Sequence, residues 1–386
     1  MTFDVAIVGG GLVGTALACA LRGTTAALVA QERHVPRPPS GAFDSRIYAI
    51  SPGNAAFLSE VEAWQRMPLA RVTPVHAMRV FGDAGNSMIE FDAYRAGAGE
   101  LAWIVEDGLL QDALWRGLEM QERFALLAPA ECDRLEIAGD GAVLALRDGR
   151  KIEARLVVGA DGAGSFVRTQ AGVAAKEEGY GQTAVVANFA CERPHRNVAY
   201  QWFQGGPVLA LLPLPGEHVS MVWSTGDEHA ARLLALEPDA LAREVAGASR
   251  HALGELSLVT PPRGFALRRL IARRMVAPRV ALAGDAAHVV HPLAGQGANL
   301  GFQDARELAA VLAAREPFRD PGDPRLLRRY ERARAEAILA MRATVHGLFR
   351  LFEAKSALAA RLRNTGLNLA DRLPVLKNVL MRQAMS

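Results

Sequence analysis

Apolar residues run from Phe3 to Val8, stop at Gly9-Gly10-Gly11, and resume from Leu12 to Leu21. A short apolar run closed by glycines predicts a buried strand, Phe3–Val8. The stretch Thr15–Leu21 predicts a buried helix. Ala26–Ala30 reads as a second buried strand. Strand, helix and parallel strand make a βαβ unit. Val5 to Leu21 carries no charge, but four glycines interrupt it, so it does not read as a membrane span. Met1-Thr2-Phe3-Asp4 lacks the positive start of a secretion signal. The expectation is a soluble, cytoplasmic protein with at most peripheral contact at the inner face of a membrane.

From about Thr183 the pattern changes. Ala184–Phe189, Val198–Phe203, Val208–Leu212 and Val219–Ser224 are short β-like runs, separated by Gly, Pro and charge. That spacing predicts an antiparallel sheet. His76–Phe81 and Ser87–Phe91, around Asp83–Asn86, predict a hairpin that joins it. Val280–Ala283 returns to a buried strand. A glycine-rich loop comes next, then a helix from about Asn299 to Ala314. Leu326–Phe352 is helical in pattern and rich in arginine, and Gly366 and Pro374 punctuate the tail. The expected class is α/β. Segments 1–72, 98–182 and 275–340 form a discontinuous Rossmann-like domain. Segments 73–97 and 183–274 form an inserted, mostly antiparallel substrate domain, and 341–386 a C-terminal helical segment.

Charge removes several function classes. The chain has 386 residues, with 44 basic against 41 acidic side chains and a net charge of +3. Nucleic-acid binders carry a strong basic excess on one face, so no nucleic-acid partner is expected. Half of the residues are hydrophobic, which is an ordinary globular mix. Cys19, Cys132 and Cys191 lie far apart, which argues for a reducing compartment and against a disulfide framework or a zinc site. No metal is expected.

Gly9-Gly10-Gly11-Leu12-Val13-Gly14 is a G-x-G-x-x-G that follows a strand and opens a helix. The first glycine allows the tight turn, and the second lets a pyrophosphate approach the backbone. The third lets helix and strand pack closely. An acidic residue about twenty positions on would hold ribose hydroxyls. Glu32 is the candidate, although the strand ends at Ala30, so a plain solvated charge is an equal reading. A second motif, Gly159-Ala160-Asp161-Gly162-Ala163-Gly164-Ser165-Phe166-Val167-Arg168, follows the apolar run Leu156–Val158. A third, Gly284-Asp285-Ala286-Ala287-His288, follows Val280–Ala283 and extends through Pro292 to Gly295-Gln296-Gly297-Ala298-Asn299. In both, a carboxylate follows a buried strand, where it can accept hydrogen bonds from sugar hydroxyls.

In order and spacing the three motifs resemble the FAD-dependent aromatic hydroxylases typified by para-hydroxybenzoate hydroxylase. Phe43-Asp44-Ser45-Arg46, Val105-Glu106-Asp107-Gly108-Leu109-Leu110-Gln111 and His291–Gly301 narrow the resemblance to the ubiquinone-biosynthesis branch. The tail around Gly366 and Leu376-Lys377 does the same. The family often has Asn where this chain has Asp107. The resemblance implies FAD held at Gly9, Gly11, Leu12, Val13 and Gly14, with Arg46 and Gln111 on the nucleotide. Asp161 and Gly162 belong to a motif tied to FAD and to transient NAD(P)H, supported by Arg168. Gly284 and Asp285 serve the ribityl or ribose region. Pro292, Gly295, Gln296 and Gly297 lie beside the flavin ring, and Ala298 and Asn299 also bind the cofactor.

The implied chemistry is reduction of the flavin by NAD(P)H, formation of a flavin C4a-hydroperoxide with O2, and oxygen transfer to an electron-rich ring. The implied substrate is a lipophilic, polyprenylated ubiquinone precursor, with membership of a quinone-biosynthesis complex open. Two alternatives stand beside it: the same chemistry on a small soluble aromatic acid, and a non-catalytic FAD-binding scaffold. The residues name no catalytic base. His288 and His291 read as structural or flavin-adjacent. Tyr48, Tyr180, Tyr200 and Trp202 are open to lining the site or packing the core. Arg268-Arg269 and Arg273-Arg274 read as a solvated face, with a phosphate of NADPH or an anionic membrane as the alternative. Leu348, Phe349, Leu351 and Phe352 are open to packing on the FAD domain or to docking a lipid-bearing substrate.

Overall fold

The computed structural model describes residues 2–36, 41–82, 87–290 and 296–353. Strand Thr2–Val8 lies at the middle of the first sheet, parallel to Lys151–Gly159 on one side and Ala26–Val29 on the other. Val280–Leu282 extends the parallel array beyond Lys151–Gly159, and Phe124–Leu127 extends it beyond Ala26–Val29. Val5, Ala6, Ile7, Val157, Val158 and Leu282 are each fully buried, as expected for parallel strands covered on both faces. Helices Leu12–Ala20 and Gln296–Ala313 pack on this sheet. Strand register aligns the motifs. Val8 pairs with Gly159, and Gly159 pairs with Leu282, so the three motifs leave neighbouring strands at the same carboxyl edge. That edge is where open α/β sheets bind ligands.

The second sheet runs from His288–Val289 through Arg263–Ala272, Ala175–Cys191, His218–Gly226, Val208–Leu214, Val198–Phe203 and Ala77–Phe81 to Met88–Asp92. Its pairings are antiparallel except Val198–Phe203 with Ala77–Phe81. Successive side chains alternate between faces. Val185, Ala187, Leu209, Leu211, Met221 and Trp223 face one way, into a core closed by helices Asp227–Leu234 and Pro238–Ala248. Ala184, Val186, Ala210, Leu212, Val222 and Ser224 face the other way, into a cavity. Trp202 is a core residue, stacked at 5.4 Å on Phe81 and at 5.7 Å on Tyr200.

A small third sheet joins Ile47–Ile50, Ala102–Glu106 and Thr73–Val75 between the other two. Helix Pro324–Glu353 crosses Gln296–Ala313, with Leu326, Leu327 and Tyr330 in the core. The tail positions Gly366, Pro374 and Leu376-Lys377 lie outside the described residues. Among the described residues no helix is long and apolar enough to cross a membrane.

Candidate active site

The two sheets enclose a cavity of about 1540 Å3. Sites for a single small molecule span about 300–1000 Å3, so this one has room for two occupants. Its two walls differ in chemistry.

The first wall is the motif edge. Gly9 has φ +120°, and a Cβ there would stand 2.2 Å from the Ala160 carbonyl oxygen. A Cβ on Gly14 would stand 2.0 Å from the Gly9 carbonyl oxygen. A Cβ on Gly11 would meet nothing within 4 Å. The first and third glycines therefore permit packing, and the second opens onto the cavity. Helix Leu12–Ala20 begins at Gly11 without a side-chain cap, so its first N–H groups are left for a ligand. This cradle fits a pyrophosphate. Val13 wedges between the motifs: a Cβ on Gly284 would come 3.0 Å from Val13 Cγ2, and one on Gly301 2.4 Å from it.

Ala30 shows why the acidic position shifts. A Cβ on Gly10 would lie 2.7 Å from Ala30 Cβ and 2.9 Å from the Trp115 ring, and Ala30 is buried. No carboxylate fits at that strand end. Glu32, two residues on, is exposed and lines the cavity. Trp115 Nε1 donates to the Gly10 carbonyl at 3.1 Å and holds the loop from beneath.

Arg46, Gln111, Asp161, Gly162, Asp285, Gly297 and Ala298 also line the cavity. Arg46 sits 5.1 Å over the Phe265 ring, and its charge acts to lower the carboxyl pKa of both Asp107 and Asp285. Burial outweighs that effect and raises both carboxyls above the usual range. Burial also keeps the Tyr48 phenol protonated far above neutrality, with Asp107 reinforcing it. The Asp161 carboxylate is committed locally: it accepts from Ser165 Oγ at 2.5 Å and from Val167 N at 3.0 Å.

Three anticipated residues, Gly14, Gly284 and Arg168, act behind the surface, and a fourth, Asn299, does so in part. Gly14 packs under the loop. Gly284, at φ +59°, shapes its turn. Arg168 donates to the carbonyls of Ala286 (2.9 Å) and Ala163 (2.7 Å), tying the second motif to the third. Arg168→Met is expected to lower stability by about 3 kcal/mol, read as a lower urea midpoint, because both carbonyls lose a charged donor. Asn299 lines the cavity, yet its amide is engaged elsewhere: Oδ1 accepts from Ser51 N and Asn54 Nδ2, and Nδ2 donates to the Ala49 carbonyl. Pro292 and Gly295 lie outside the described residues, as does His291, and Gln296 opens helix Gln296–Ala313.

Supporting groups sit behind this wall. Glu106 accepts two hydrogen bonds from Arg71, at 2.7 and 2.8 Å, and one from Asp44 N at 2.7 Å. Asp44 in turn accepts from Gly108 N at 2.7 Å. These bonds lock the segment carrying Arg46 to the helix carrying Gln111. Asp304 is fully buried and accepts from Gly284 N (2.9 Å), His288 Nε2 (2.7 Å) and Arg334 Nε (2.6 Å). Arg268, which lines the cavity from strand Arg263–Ala272, pairs with Glu177 at 2.9 Å, so the basic stretch is partly neutralised.

The second wall is the open face of Ala175–Cys191, His218–Gly226, Val208–Leu214 and Val198–Phe203, together with Val75, Met78, Phe91, Leu101 and Ala102. Among the described lining residues of this wall none is charged. The polar side chains are Gln201 and Ser224, while Tyr200, which also borders the cavity, turns its side chain to the opposite face with Trp202.

A dinucleotide cradle facing an apolar chamber is the arrangement of the FAD-dependent monooxygenases. Residues 2–344 match the FAD-binding-domain family, and the chain belongs to it. It is 38% identical to the ubiquinone hydroxylase UbiL of Rhodospirillum rubrum over 384 residues, covering 99% of this chain and 89% of that protein. It is 33% identical to the 3-demethoxyubiquinol 3-hydroxylase of Escherichia coli, covering 99% and 98%. The crystal structure of PqsL from Pseudomonas aeruginosa shares the fold at 23% identity, with a TM-score of 0.79 over 95% of this chain and 100% of that one.

Proposed function

We propose that this chain hydroxylates the aromatic ring of a polyprenylated ubiquinone precursor, using FAD, O2 and NAD(P)H. The observation that carries the reading is the uncharged second wall facing the phosphate cradle. A small aromatic acid would leave its carboxylate unpaired on that wall, at a cost of several kcal/mol. A neutral ring with a hydrocarbon substituent loses nothing there. The two named relatives, a ubiquinone hydroxylase and a 3-demethoxyubiquinol 3-hydroxylase, support the same substrate class.

Gly9, Gly11, Leu12 and Val13 would hold the pyrophosphate of FAD, Glu32 its adenosine ribose, and Arg46, Gln111 and Asp285 the middle of the molecule. Gly162, Gly297 and Ala298 leave backbone exposed to the flavin. Bound FAD supplies the activation of O2. The chain's own part is to exclude water with the apolar wall and to hold the ring in place. Tyr48, kept protonated, can donate a hydrogen bond but not remove a proton at neutral pH.

The test is turnover by the purified, FAD-loaded protein under isotopically labelled dioxygen with a demethoxyubiquinol-type ring compound. The expected product carries one labelled oxygen per NAD(P)H oxidised. NAD(P)H oxidation that yields only hydrogen peroxide with such compounds, but labelled product with an aromatic acid, would reverse the substrate assignment. A flavin that NAD(P)H never reduces would favour the scaffold reading.

A further inference from the structure

The register of the second sheet gives the cavity a direction. Tyr200 pairs with Leu211, which sets Ala199 beside Leu212. Ala199 pairs with Met78, and Met78 pairs with Phe91. Leu212, Ala199, Met78 and Phe91 therefore stand in one row across four strands, and all four line the cavity. Neighbouring strands lie about 4.8 Å apart, so the row is about 14 Å long. It ends on Met88–Asp92, the edge strand of the sheet. Phe91, the last residue of the row, is half-buried, so part of its side chain reaches solvent at this edge. At the other end of the open face, Ala184 pairs with Phe265, the ring beneath Arg46.

The row has a distinct profile. Ala199 is buried and small, and the larger Leu212, Met78 and Phe91 stand half-buried around it. That makes a shallow apolar trough, not a flat surface. It contains no charge and no side-chain hydrogen-bond donor or acceptor apart from the weak thioether of Met78. Such a trough favours a hydrocarbon chain and penalises any ionic group laid in it.

The geometry points to a channel for the substrate's tail: the ring sits toward Phe265, and the isoprenoid chain crosses Leu212, Ala199, Met78 and Phe91 to leave at the edge strand. This assignment rests on the substrate class proposed above and adds the path and the residues that read chain length. Met78 and Phe91 then set specificity for the tail without touching the ring or the nucleotide cradle.

The full-length, FAD-loaded protein is titrated with two compounds sharing one quinol ring, one with a long polyprenyl tail and one with a methyl group in its place. Binding is read from the perturbation of flavin absorbance, and turnover is measured in parallel. Met78→Glu and Phe91→Glu each place a carboxylate in the row, and Met78→Leu keeps it apolar. Each Glu variant is expected to weaken the long-tailed compound about tenfold or more, with the methyl compound within roughly twofold, because only the tail meets the charge. Met78→Leu is expected to behave as the parent protein, and FAD content to stay constant throughout. Equal losses for both compounds, or a long-tailed compound that binds the Glu variants normally, would overturn the channel. If neither compound is hydroxylated while the binding difference persists, the channel stands and the hydroxylase assignment falls.

Discussion

Gly11→Val gives a folded, colourless protein. Nothing lies within 4 Å of where its Cβ would stand, so the fold has no reason to object. The added side chain occupies the approach to the first N–H groups of helix Leu12–Ala20, where the pyrophosphate needs backbone contact. The expected rise in the FAD dissociation constant is roughly a hundredfold or more, since several charge-assisted hydrogen bonds go together. Thermal denaturation of the apoprotein should be unchanged. Gly9→Ala is the counterpart. It places a Cβ 2.2 Å from the Ala160 carbonyl oxygen in a backbone at φ +120°. It should destabilise the apoprotein itself, by about 3 kcal/mol or more. If Gly11→Val retains FAD, the cradle is not the pyrophosphate site.

Asp304→Asn is expected to cost about 3–5 kcal/mol, because it leaves Arg334 and His288 buried without their shared carboxylate. Calorimetry of the apoprotein checks this, and FAD content should fall as well, since the one amide oxygen left cannot serve Gly284 N beside Asp285 together with His288 Nε2 and Arg334 Nε. The pair also predicts two pH limits. Burial alone would lower the His288 pKa, but Asp304 outweighs it and raises the group above its ordinary value of 6.5. A raised folded-state pKa contributes stability that is complete below 6.5 and is lost as pH rises through the higher folded value. The charges of His288 and Arg334 hold Asp304 below the usual 3.8 despite its burial. Its contribution is present above 3.8 and is lost as pH falls through the lower folded value. His288→Gln should remove the alkaline limit and leave the acid one. A protein whose stability shows the same alkaline decline with and without His288 would refute this account.

The cradle was legible because its signals are local. Glycines after an apolar run, and a carboxylate after a buried strand, state their reason within a few residues. Even so, the local reading of Arg168 as support of its motif and of Asn299 as a cofactor contact did not show that both side chains bind other parts of the chain. Only long-range pairing shows that, since Arg168 meets Ala286 and Asn299 meets Ser51. The Asp304 cluster was missed for the same reason, although the sequence does hold a clue. Asp304 falls on the helix face that buries Leu300, Gly301 and Leu308, and Arg334 follows Leu326, Leu327 and Tyr330 at helical spacing. A charge on an apolar face announces a buried partner but does not name it. The position of Glu32 was uncertain in sequence because the obstacle at Ala30, the Gly10 backbone and the Trp115 ring, comes from elsewhere in the fold. The substrate row was invisible for a related reason, since alternation shows which face a residue takes but not which strands stand side by side.

The central place of Thr2–Val8 has a consequence for biosynthesis. This strand is translated long before its neighbour Lys151–Gly159 and the strand beyond, Val280–Leu282. The glycine loop therefore waits, without its finished wall, until most of the chain has been translated. Pairings between such distant segments form slowly, and a half-made sheet exposes apolar edges meanwhile. Loading of the flavin is thus a late event, and in cells short of the cofactor the first losses should be nascent chains consigned to chaperones and proteases.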